Sequence, residues 1–439
     1  MAHVTVFGAG LVAGPVVRHI LEHSSHTVTV AARSADRAHT LANGHPRSRA
    51  VAFDIADSDT LDRLVAESDL CVSMLPYTHH VALATRCLAH RKHLVTTSYV
   101  SPAMRALDAQ AREAGVIFLN ELGLDPGIDH MSAMKVIHEV KAAGGKVVEF
   151  KSYCGGLPAP EANNNPFGYK FSWSPRGVVL AARNAARYLR DGAVVEVPGP
   201  DLFAHPEIVT VEGAGTFEGY PNRDSTAYLK TYDVPEARSM FRGTLRNLTH
   251  CETWKAMGDL GLYDDAPLSL PGGTYRALMA RLAGVTPSDA VEAAVAARVG
   301  LTAGSLPIEK LTWLGMFAAD PLPAEVISPL DALVARMVER LQYQPGERDM
   351  IVLQHNFVAE YPDRTEHLRS TLVAFGEPGG ETAMSRTVGL PAAIGVLRVL
   401  DGTITDRGVV VPVSPGVYAP ILDELATLGI AFHEERRTV

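Results

Sequence analysis

The N-terminal stretch constrains the fold more than any other part of this chain. A β-branched run, His-Val-Thr-Val-Phe at 3–7, passes into Gly-Ala-Gly-Leu-Val-Ala-Gly at 8–14, and apolar residues at helical spacing follow at 16–21. Gly8 permits a tight turn, and Gly10 lets a ligand approach the backbone closely. The N-terminus of the following helix favours negative charge. This order predicts a pyrophosphate-binding turn at the start of a doubly wound sheet, the alternative being a structural glycine turn.

The end of the second predicted strand indicates which dinucleotide would bind. Residues 27–32 read Thr-Val-Thr-Val-Ala-Ala, and Arg33 and Ser34 follow. Sheets that bind NAD usually place an acidic residue here, where it binds the ribose 2′-hydroxyl. An acid would repel a 2′-phosphate, whereas Arg33 can form a charge-assisted fork with it and Ser34 can donate a further hydrogen bond. The sequence therefore favours NADP, the alternative being a solvated arginine at the start of a helix.

Strand and helix patterns alternate over the N-terminal third of the chain. Further strands are predicted at 51–55, 69–75, 93–99 and 116–119. Polar residues cluster at the carboxyl end of the strand at 93–99, which is the edge where sheets of this kind bind ligands. We therefore predict the α/β class, with an N-terminal Rossmann domain and its doubly wound parallel sheet at 1–130.

A turn-rich stretch follows the last of these strands and reads Asn-Glu-Leu-Gly-Leu-Asp-Pro-Gly-Ile-Asp-His-Met at 120–131. Gly123 and Gly127 allow backbone angles that are closed to other residues, and Pro126 fixes one angle. Acidic and histidine side chains are crowded into the same short space. A rigid acidic loop at this point predicts a cleft, the alternative being an ordinary interdomain turn with solvated carboxylates.

The pattern changes after this joint. Alternating residues at 146–153 and a hairpin pattern at 350–375 predict a second sheet, and the segment between them becomes helical. The predicted boundaries are 131–250 with 346–377 for an α+β substrate domain, 251–345 for a small all-helical domain, and 378–439 for a segment that packs back onto the Rossmann domain.

Three arginines, Arg223, Arg242 and Arg246, lie beside glycine and proline in the second half of the chain. A guanidinium fork binds a carboxylate with two hydrogen bonds, which a lysine does not. Each arginine alone is more often a surface residue. Because the net charge of the chain is -9, the three together indicate a pocket for substrate carboxylates.

Composition excludes several classes of function. The net charge of -9 argues against non-specific nucleic-acid binding. Four cysteines are scattered without a CxxC pair, which predicts a reducing, cytoplasmic location and no metal site of the zinc-ribbon kind. No uninterrupted apolar run approaches the roughly 20 residues of a membrane helix. The first strand begins by Val4, so neither a signal peptide nor a membrane partner is expected.

Seven longer motifs occur through nearly the whole chain. They are LPYTH at 75–79, VTTSYVSP at 95–102, NELGLDPGIDH at 120–130, SYCGGLPAPE at 152–161, GYKFSWS at 168–174, YPNRDST at 220–226 and LDGTI at 400–404. In this order they resemble saccharopine dehydrogenase of the NADP-linked, glutamate-forming type. The resemblance implies a Rossmann domain, an α/β substrate and dimerisation domain, a helical domain, a homodimer and NADP as cofactor.

The resemblance also implies site residues. Those expected to contact NADP(H) are Gly8, Ala9, Gly10, Leu11, Val12, Ala32, Arg33, Ser34, Asp54, Ile55, Leu75, Thr97, Ser98, Leu124, Asp125, Gly127, Ile128, Met131 and Ser174. Those expected to contact the substrate are Ser98, Tyr99, Asp125, Arg223, Thr244, Leu245 and Arg246. Pro175 departs from the family pattern, in which fungal members carry a second serine, and is expected to alter the loop beside Ser174.

The implied substrate, saccharopine, is a secondary amine with three carboxylates. The family interconverts it with L-glutamate and 2-aminoadipate 6-semialdehyde through an imine. We expect the cleft mainly to place the imine carbon over the nicotinamide and to anchor the carboxylates. The expected catalytic residues are Asp125, which can stabilise the iminium charge, and Tyr99 and Cys154, which are candidates for proton transfer or water positioning. The alternative for Cys154 is a small buried filler.

Two other readings of the sequence stay open. A carboxynorspermidine or homospermidine synthase would act on cationic polyamines, whose recognition needs acidic or aromatic walls, and the arginines argue against it. A non-catalytic NADP-binding sensor could use the same fold. The presence of Tyr99, Asp125, Cys154 and the arginines together argues against that alternative.

Overall fold

The computed structural model describes residues 1–269 and 273–439, and the chain separates into two compact units. Unit 1 comprises Met1–Gly145 and Gly376–Glu435, and unit 2 comprises Lys146–Phe375 and Arg436–Val439. Unit 2 is therefore an insertion in the sequence of unit 1. The segment 251–345, which includes three residues outside the described ranges, falls within unit 2.

Unit 1 is built around a parallel seven-stranded sheet with the order β15-β6-β5-β4-β1-β2-β3. The strands are β1 (His3–Phe7), β2 (Thr27–Ala32), β3 (Ser48–Ala52), β4 (Leu70–Ser73), β5 (His93–Thr96), β6 (Ile117–Leu119) and β15 (Gly408–Val410). Strand order reverses between β1 and β4, and such a switch point is where these sheets bind ligands beyond the carboxyl ends of their strands. The predicted Rossmann fold is confirmed, and its seventh strand comes from the C-terminal segment.

The helices of unit 1 connect these strands. They are α1 (Gly14–His23), α2 (Ala35–Ala42), α3 (Ser58–Ala66), α4 (His80–Ala89), α5 (Pro102–Arg105), α6 (Asp108–Glu113), α7 (Ile128–Ala142), α15 (Ala383–Leu400) and α16 (Pro415–Thr427). Side-chain oxygens of Ser34 and Asp57 cap the N-termini of α2 and α3. No side chain caps α1, whose N-cap residue is Ala13. The first amide groups of α1 are therefore left for another acceptor.

Helix α15 is a core element of unit 1. By length and composition it could cross a membrane, but 78% of it is buried inside the protein. A Cβ on Gly389 would lie 3.0 Å from the carbonyl oxygen of Val12, so the glycine lets α15 lie against the start of α1. The C-terminal segment thus supports the glycine turn at the other end of the chain.

Unit 2 contains a mixed nine-stranded sheet with the order β10-β11-β12-β7-β13-β14-β16, and β8 pairs with β12 and β9. Its strands are β7 (Lys146–Pro158), β8 (Ala186–Arg190), β9 (Ala193–Val197), β10 (Glu207–Val211), β11 (Gly215–Pro221), β12 (Ser239–Asn247), β13 (Asp349–Glu360), β14 (Thr365–Phe375) and β16 (His433–Thr438). Tyr153, Phe241 and Leu245 belong to an apolar core on one face of this sheet. Their neighbours along β7 and β12 lie on the opposite face, because side chains alternate along a strand.

The helices of unit 2 enclose a second apolar core. They are α8 (Pro175–Ala181), α9 (Tyr228–Thr231), α10 (His250–Leu260), α11 (Tyr275–Ala283), α12 (Val291–Arg298), α13 (Leu306–Leu314) and α14 (Pro329–Arg340). Trp254 on α10 and Leu333 on α14 lie in this core together with Tyr169 from the loop after β7. The helical pattern predicted for 251–345 thus corresponds to α10 through α14.

Candidate active site

The glycine turn after β1 has the shape that a bound pyrophosphate needs. Gly8 has a φ of +111°, and a Cβ there would lie 2.7 Å from the carbonyl oxygen of Met74. A Cβ on Gly10 would meet no atom of the protein within 4 Å. The fold itself therefore requires glycine at 8 and leaves open space at 10. Together with the uncapped N-terminus of α1, this space fits a dinucleotide phosphate.

Alanine substitutions at these two glycines are expected to affect different properties, stability at Gly8 and NADPH affinity at Gly10. Gly8→Ala should lower the free energy of unfolding by about 1–3 kcal/mol, because its φ is unfavourable for a side chain and its Cβ would collide with the backbone. Gly10→Ala should leave the melting temperature unchanged and weaken NADPH binding by about tenfold or more, because the methyl group enters the ligand's space. Differential scanning fluorimetry and NADPH fluorescence titration measure both effects. Full NADPH affinity in Gly10→Ala would contradict this placement.

The residues predicted to bind the adenosine end lie at the carboxyl ends of β2 and β3. Arg33 is exposed after β2, and the Ser34 hydroxyl oxygen accepts a hydrogen bond of 3.3 Å from the amide of Arg37. That hydroxyl keeps its own proton for a further acceptor. After β3 the Asp54 carboxylate accepts a 2.9 Å hydrogen bond from the amide of Ala56. The arrangement leaves the Arg33 guanidinium available to a 2′-phosphate.

A buried histidine links the ends of β4 and β5, and the sequence reasoning missed it. Nδ1 of His80 lies 2.8 Å from the Ser73 hydroxyl, and Nε2 lies 2.8 Å from Ser98 and 3.1 Å from Thr96. Burial, followed by the charge of His79, lowers the pKa of His80 to about 4, so the ring is neutral at neutral pH. One ring nitrogen then donates and the other accepts, which orients the Ser98 hydroxyl. Its only sequence signal is its position next to the LPYTH motif.

The loop after β5 and the loop after β6 bring two predicted catalytic residues together. The Tyr99 hydroxyl donates a 2.7 Å hydrogen bond to Oδ1 of Asp125. The amide of Leu122 donates to the Thr96 carbonyl at 3.1 Å, so the two loops run side by side. A Cβ on Gly127 would lie 2.0 Å from the carbonyl oxygen of Gly123, which explains the glycines of this tight joint. A phenol that is hydrogen-bonded to a carboxylate can give a proton to a ligand or take one from it.

The remaining cofactor predictions in unit 1 fall on the same edge of its sheet. Ala9, Val12, Leu75 and Thr97 are partly exposed, and Leu11 is 63% exposed. Ala32, Leu124, Gly127, Ile128 and Met131 are buried, while Ile55 is partly exposed. The buried members can reach a ligand only through small exposed areas or backbone atoms. These contacts stay predictions.

In unit 2, one face of the sheet brings together the predicted catalytic residue of β7 and two of the predicted substrate residues of β12. Thr244 pairs with Cys154 across these parallel strands, and Arg246 lies two residues further along β12 on the same face. Cys154 is 7% exposed and Arg246 is also 7% exposed. Leu245 points to the other face, where its side chain is fully buried in the core. A ligand contact of Leu245 is therefore limited to its main chain.

Arg246 is a buried cation whose described surroundings hold no acidic partner for it. Nη1 donates to the Leu245 carbonyl at 2.8 Å, the guanidinium carbon lies 5.0 Å from the centre of the Tyr169 ring, and Nε has no hydrogen-bond partner. Glu218 pairs with Arg246 across β11 and β12, but its carboxylate accepts instead from the amides of Thr249 and Cys251 at 2.8 and 2.7 Å. A buried, unbalanced guanidinium favours an anionic ligand.

Burial and charge also keep the histidine nearest this cation neutral. Burial, then the charges of Arg246 and Lys310, hold the pKa of His250 well below its usual value. The His250 ring stacks on Trp254 with 4.8 Å between ring centres. His250 therefore adds no positive charge beside Arg246 at neutral pH.

Three further predictions in unit 2 have different surroundings. Arg223 is exposed with a φ of +55°, and its carbonyl oxygen accepts a 2.9 Å hydrogen bond from the amide of Arg187. Arg242 is buried, with its guanidinium carbon 4.5 Å from the centre of the Tyr228 ring. Ser174 is exposed and caps α8, and Pro175 opens that helix, where its fixed φ is compatible with helix geometry. Cys154, Thr244 and Arg246 share one face of the sheet, and Arg242, two residues before Thr244 along β12, lies on that face as well.

Comparison with known proteins gives a consistent result over the whole chain. The model of the saccharopine dehydrogenase NADP binding domain matches residues 4–119, and that of the saccharopine dehydrogenase C-terminal domain matches residues 123–430. The chain is 39% identical to saccharopine dehydrogenase [NADP(+), L-glutamate-forming] of Schizosaccharomyces pombe, covering 99% of both chains. It is 42% identical to the Saccharomyces cerevisiae protein of the same name, covering 96% of both chains.

Two other matches extend this finding. The chain is 37% identical to mitochondrial alpha-aminoadipic semialdehyde synthase of Bos taurus, covering 98% of this chain and 47% of that protein. Among solved structures, apo histidine-tagged saccharopine dehydrogenase (L-Glu forming) from Saccharomyces cerevisiae superposes with a TM-score of 0.89 at 39% identity and covers 100% of both chains. The similarity therefore includes both units of the fold.

Proposed function

The chain belongs to the saccharopine dehydrogenase family, and we propose that it is an NADP(H)-dependent oxidoreductase of lysine metabolism. It interconverts saccharopine with L-glutamate and 2-aminoadipate 6-semialdehyde. Within the fold, the observation that carries this function is the buried Arg246, which has no acidic partner among the described residues. A substrate with three carboxylates supplies the missing negative charge, whereas a cationic polyamine would add a second positive charge.

The cofactor supplies or accepts the hydride when it is bound. Gly8, Gly10 and the N-terminus of α1 would hold its pyrophosphate, and Arg33 and Ser34 would bind the 2′-phosphate. Ser98, oriented by the neutral His80, offers a hydroxyl at the carboxyl end of the sheet. When NADP(H) is bound, these contacts would orient it, and orientation is the main contribution that a protein makes to hydride transfer.

The chain's own acid and base handle the charge and the protons of the substrate. Asp125 stabilises the positive charge of the iminium carbon–nitrogen bond, because an anion close to developing charge lowers its free energy. Tyr99 holds a proton between its hydroxyl and Asp125, and the pair accepts the proton of the water that adds to the iminium carbon. Arg246 binds a substrate carboxylate. Cys154 lies on the same sheet face as Arg246 and is a candidate for proton transfer or water positioning.

We also propose that the protein is a cytoplasmic homodimer. None of the four cysteines, all of which lie in the described part of the chain, forms a disulfide, which supports a reducing compartment. The dimer is what the resemblance to the family implies. Light scattering during gel filtration should give twice the chain mass of 47.1 kDa. A single-chain mass at micromolar concentration would reject the dimer.

One assay separates the proposed function from its alternatives. NADPH absorbance should fall when the protein is mixed with 2-aminoadipate 6-semialdehyde and L-glutamate, and saccharopine should accumulate. The same mixture with a polyamine amine donor in place of glutamate is the control and should show no loss of absorbance. Loss only with the polyamine would assign the protein to polyamine synthesis. NADPH binding without turnover of any mixture would indicate a sensor.

A further inference from the structure

Glu121 has an unusual backbone conformation at the start of the loop that carries Asp125. Its φ is +57°, in the left-handed region that non-glycine residues rarely occupy, and only 7% of the residue is exposed. Such a conformation is unfavourable for a residue that carries a Cβ, and it persists where surrounding contacts hold it. We therefore expect hydrogen-bond partners that satisfy the buried carboxylate and hold the backbone in this conformation.

The contacts of Glu121 supply this restraint. Oε1 accepts a 2.8 Å hydrogen bond from the amide of Val100, and Oε2 lies 2.8 Å from Nε2 of His130. The amide of Glu121 donates to the Ser98 carbonyl at 3.2 Å. His130 lies in the first turn of α7 and is 1% exposed. One side chain therefore ties together the loop after β5, the loop after β6 and the first turn of α7.

The residues joined by these bonds are close in sequence to Tyr99 in one loop and to Asp125 in the other. Val100 directly follows Tyr99, while Glu121 and His130 lie on either side of Asp125 in the sequence. On the α7 side, Oδ1 of Asp129 accepts a 2.6 Å hydrogen bond from the amide of Gly127. A shift of the backbone at Tyr99 relative to the loop that carries Asp125 therefore strains the hydrogen bonds of Glu121. No step of the reaction described above uses Glu121 or His130.

We propose that Glu121 is a positioning residue, which holds Tyr99 and Asp125 at hydrogen-bonding distance by joining Val100 to His130. The role rests on the proposed function of the Tyr99–Asp125 pair. It requires two hydrogen-bonding oxygen or nitrogen atoms at the end of the side chain. It does not require that Glu121 touch the substrate or exchange a proton.

The test compares Glu121→Gly with Glu121→Gln. Glycine tolerates the positive φ and removes both side-chain bonds, so the variant should fold, and kcat should fall by about 10–100-fold because the reacting groups lose their placement. The KM for NADPH should change by less than about threefold. Glutamine keeps an acceptor for Val100, and its amide can donate to Nε2 of His130 in the ring tautomer that leaves this nitrogen without a proton, so kcat should return to within about threefold of wild type.

A matched control removes the same kind of acidic side chain from the same kind of backbone. Asp191 has a φ of +50° and is exposed in the turn between β8 and β9. Asp191→Gly should leave kcat unchanged. A Glu121→Gly enzyme with wild-type kcat would overturn the proposal, and so would Glu121→Gln activity as low as that of the glycine variant, because charge rather than placement would then be required.

A second readout does not depend on which substrate is correct. Crystal structures of the wild-type protein and Glu121→Gly should show the Tyr99–Asp125 hydrogen bond, 2.7 Å here, lengthened or broken in the variant. An unchanged bond would also overturn the positioning role. If wild-type protein fails to oxidise saccharopine while the bond breaks in Glu121→Gly, the proposed function fails and the positioning role stands.

Discussion

Asp125→Ala is expected to lower kcat for saccharopine oxidation by about 10²–10³-fold, with the KM for NADP changed by less than about threefold. The substitution removes the anion that stabilises the iminium charge and the acceptor of the 2.7 Å hydrogen bond from Tyr99. Positioned acid–base groups typically contribute about 10²–10⁴-fold. The effect should appear in kcat because the interaction forms with charge that develops during the reaction. Steady-state kinetics with saturating NADP measure it.

Two further variants interpret that result. Tyr99→Phe keeps the Asp125 carboxylate and removes the shared proton, so its kcat loss should be smaller than that of Asp125→Ala. Asp36 lies exposed in the first turn of α2 and is distant in sequence from Tyr99 and Asp125. Asp36→Ala is therefore the control and should leave kcat unchanged. Turnover of Asp125→Ala at the wild-type rate would remove Asp125 from the mechanism.

Arg246→Met is expected to raise the KM for saccharopine by about 10²-fold and, unusually for a core substitution, to leave the melting temperature equal or higher. A charge-assisted hydrogen bond to a carboxylate contributes about 1.5–3 kcal/mol, and loss of a buried partner costs still more. In the free protein the guanidinium is buried without an acidic partner among the described residues, so an apolar side chain of similar length relieves a desolvation cost. Kinetics and calorimetry test the two halves separately.

Arg238 provides the matched control for this substitution. It directly precedes β12, is exposed, and pairs with Glu360 at 2.6 Å. Arg238→Met should leave the KM for saccharopine unchanged, because an exposed ion pair with its own acid has no need of a substrate carboxylate. A large loss of stability in Arg246→Met would identify Arg246 as a structural residue. An unchanged KM would place the substrate carboxylates elsewhere.

Sequence reasoning was most successful where local pattern determines structure. The strands at 3–7 and 27–32 coincide with β1 and β2, because β-branched runs between turn residues are strong local signals. The strand predicted at 51–55 was displaced, since β3 spans Ser48–Ala52 and the chain turns at Asp54. The strand predicted at 93–99 ends at Thr96, where a loop with several polar residues begins.

The parts of the site that escaped prediction depend on contacts between distant segments. His80 contacts Ser98, and Glu121 contacts Val100, only because β4, β5 and β6 are neighbours in the folded sheet. The two hairpins formed by β8–β9 and β10–β11 were also missed. The first was predictable, because its two-residue turn is Asp191-Gly192, a strong local hairpin signal. Tyr99 and Asp125 could be named from motifs, but their hydrogen bond could not.

The insertion of unit 2 within unit 1 has a consequence for how the protein is made. During translation the strands β1 to β6 leave the ribosome first, and the domain that binds the cofactor waits for α15 and β15 until almost the entire polypeptide has been synthesised. At elongation rates of about 5–20 residues per second this delay lasts tens of seconds, with β6 exposed as an open sheet edge. Unit 2, which is contiguous except for its last four residues, can meanwhile fold. Premature termination before α15 would therefore leave a nascent chain that needs chaperone protection and has no complete nucleotide fold.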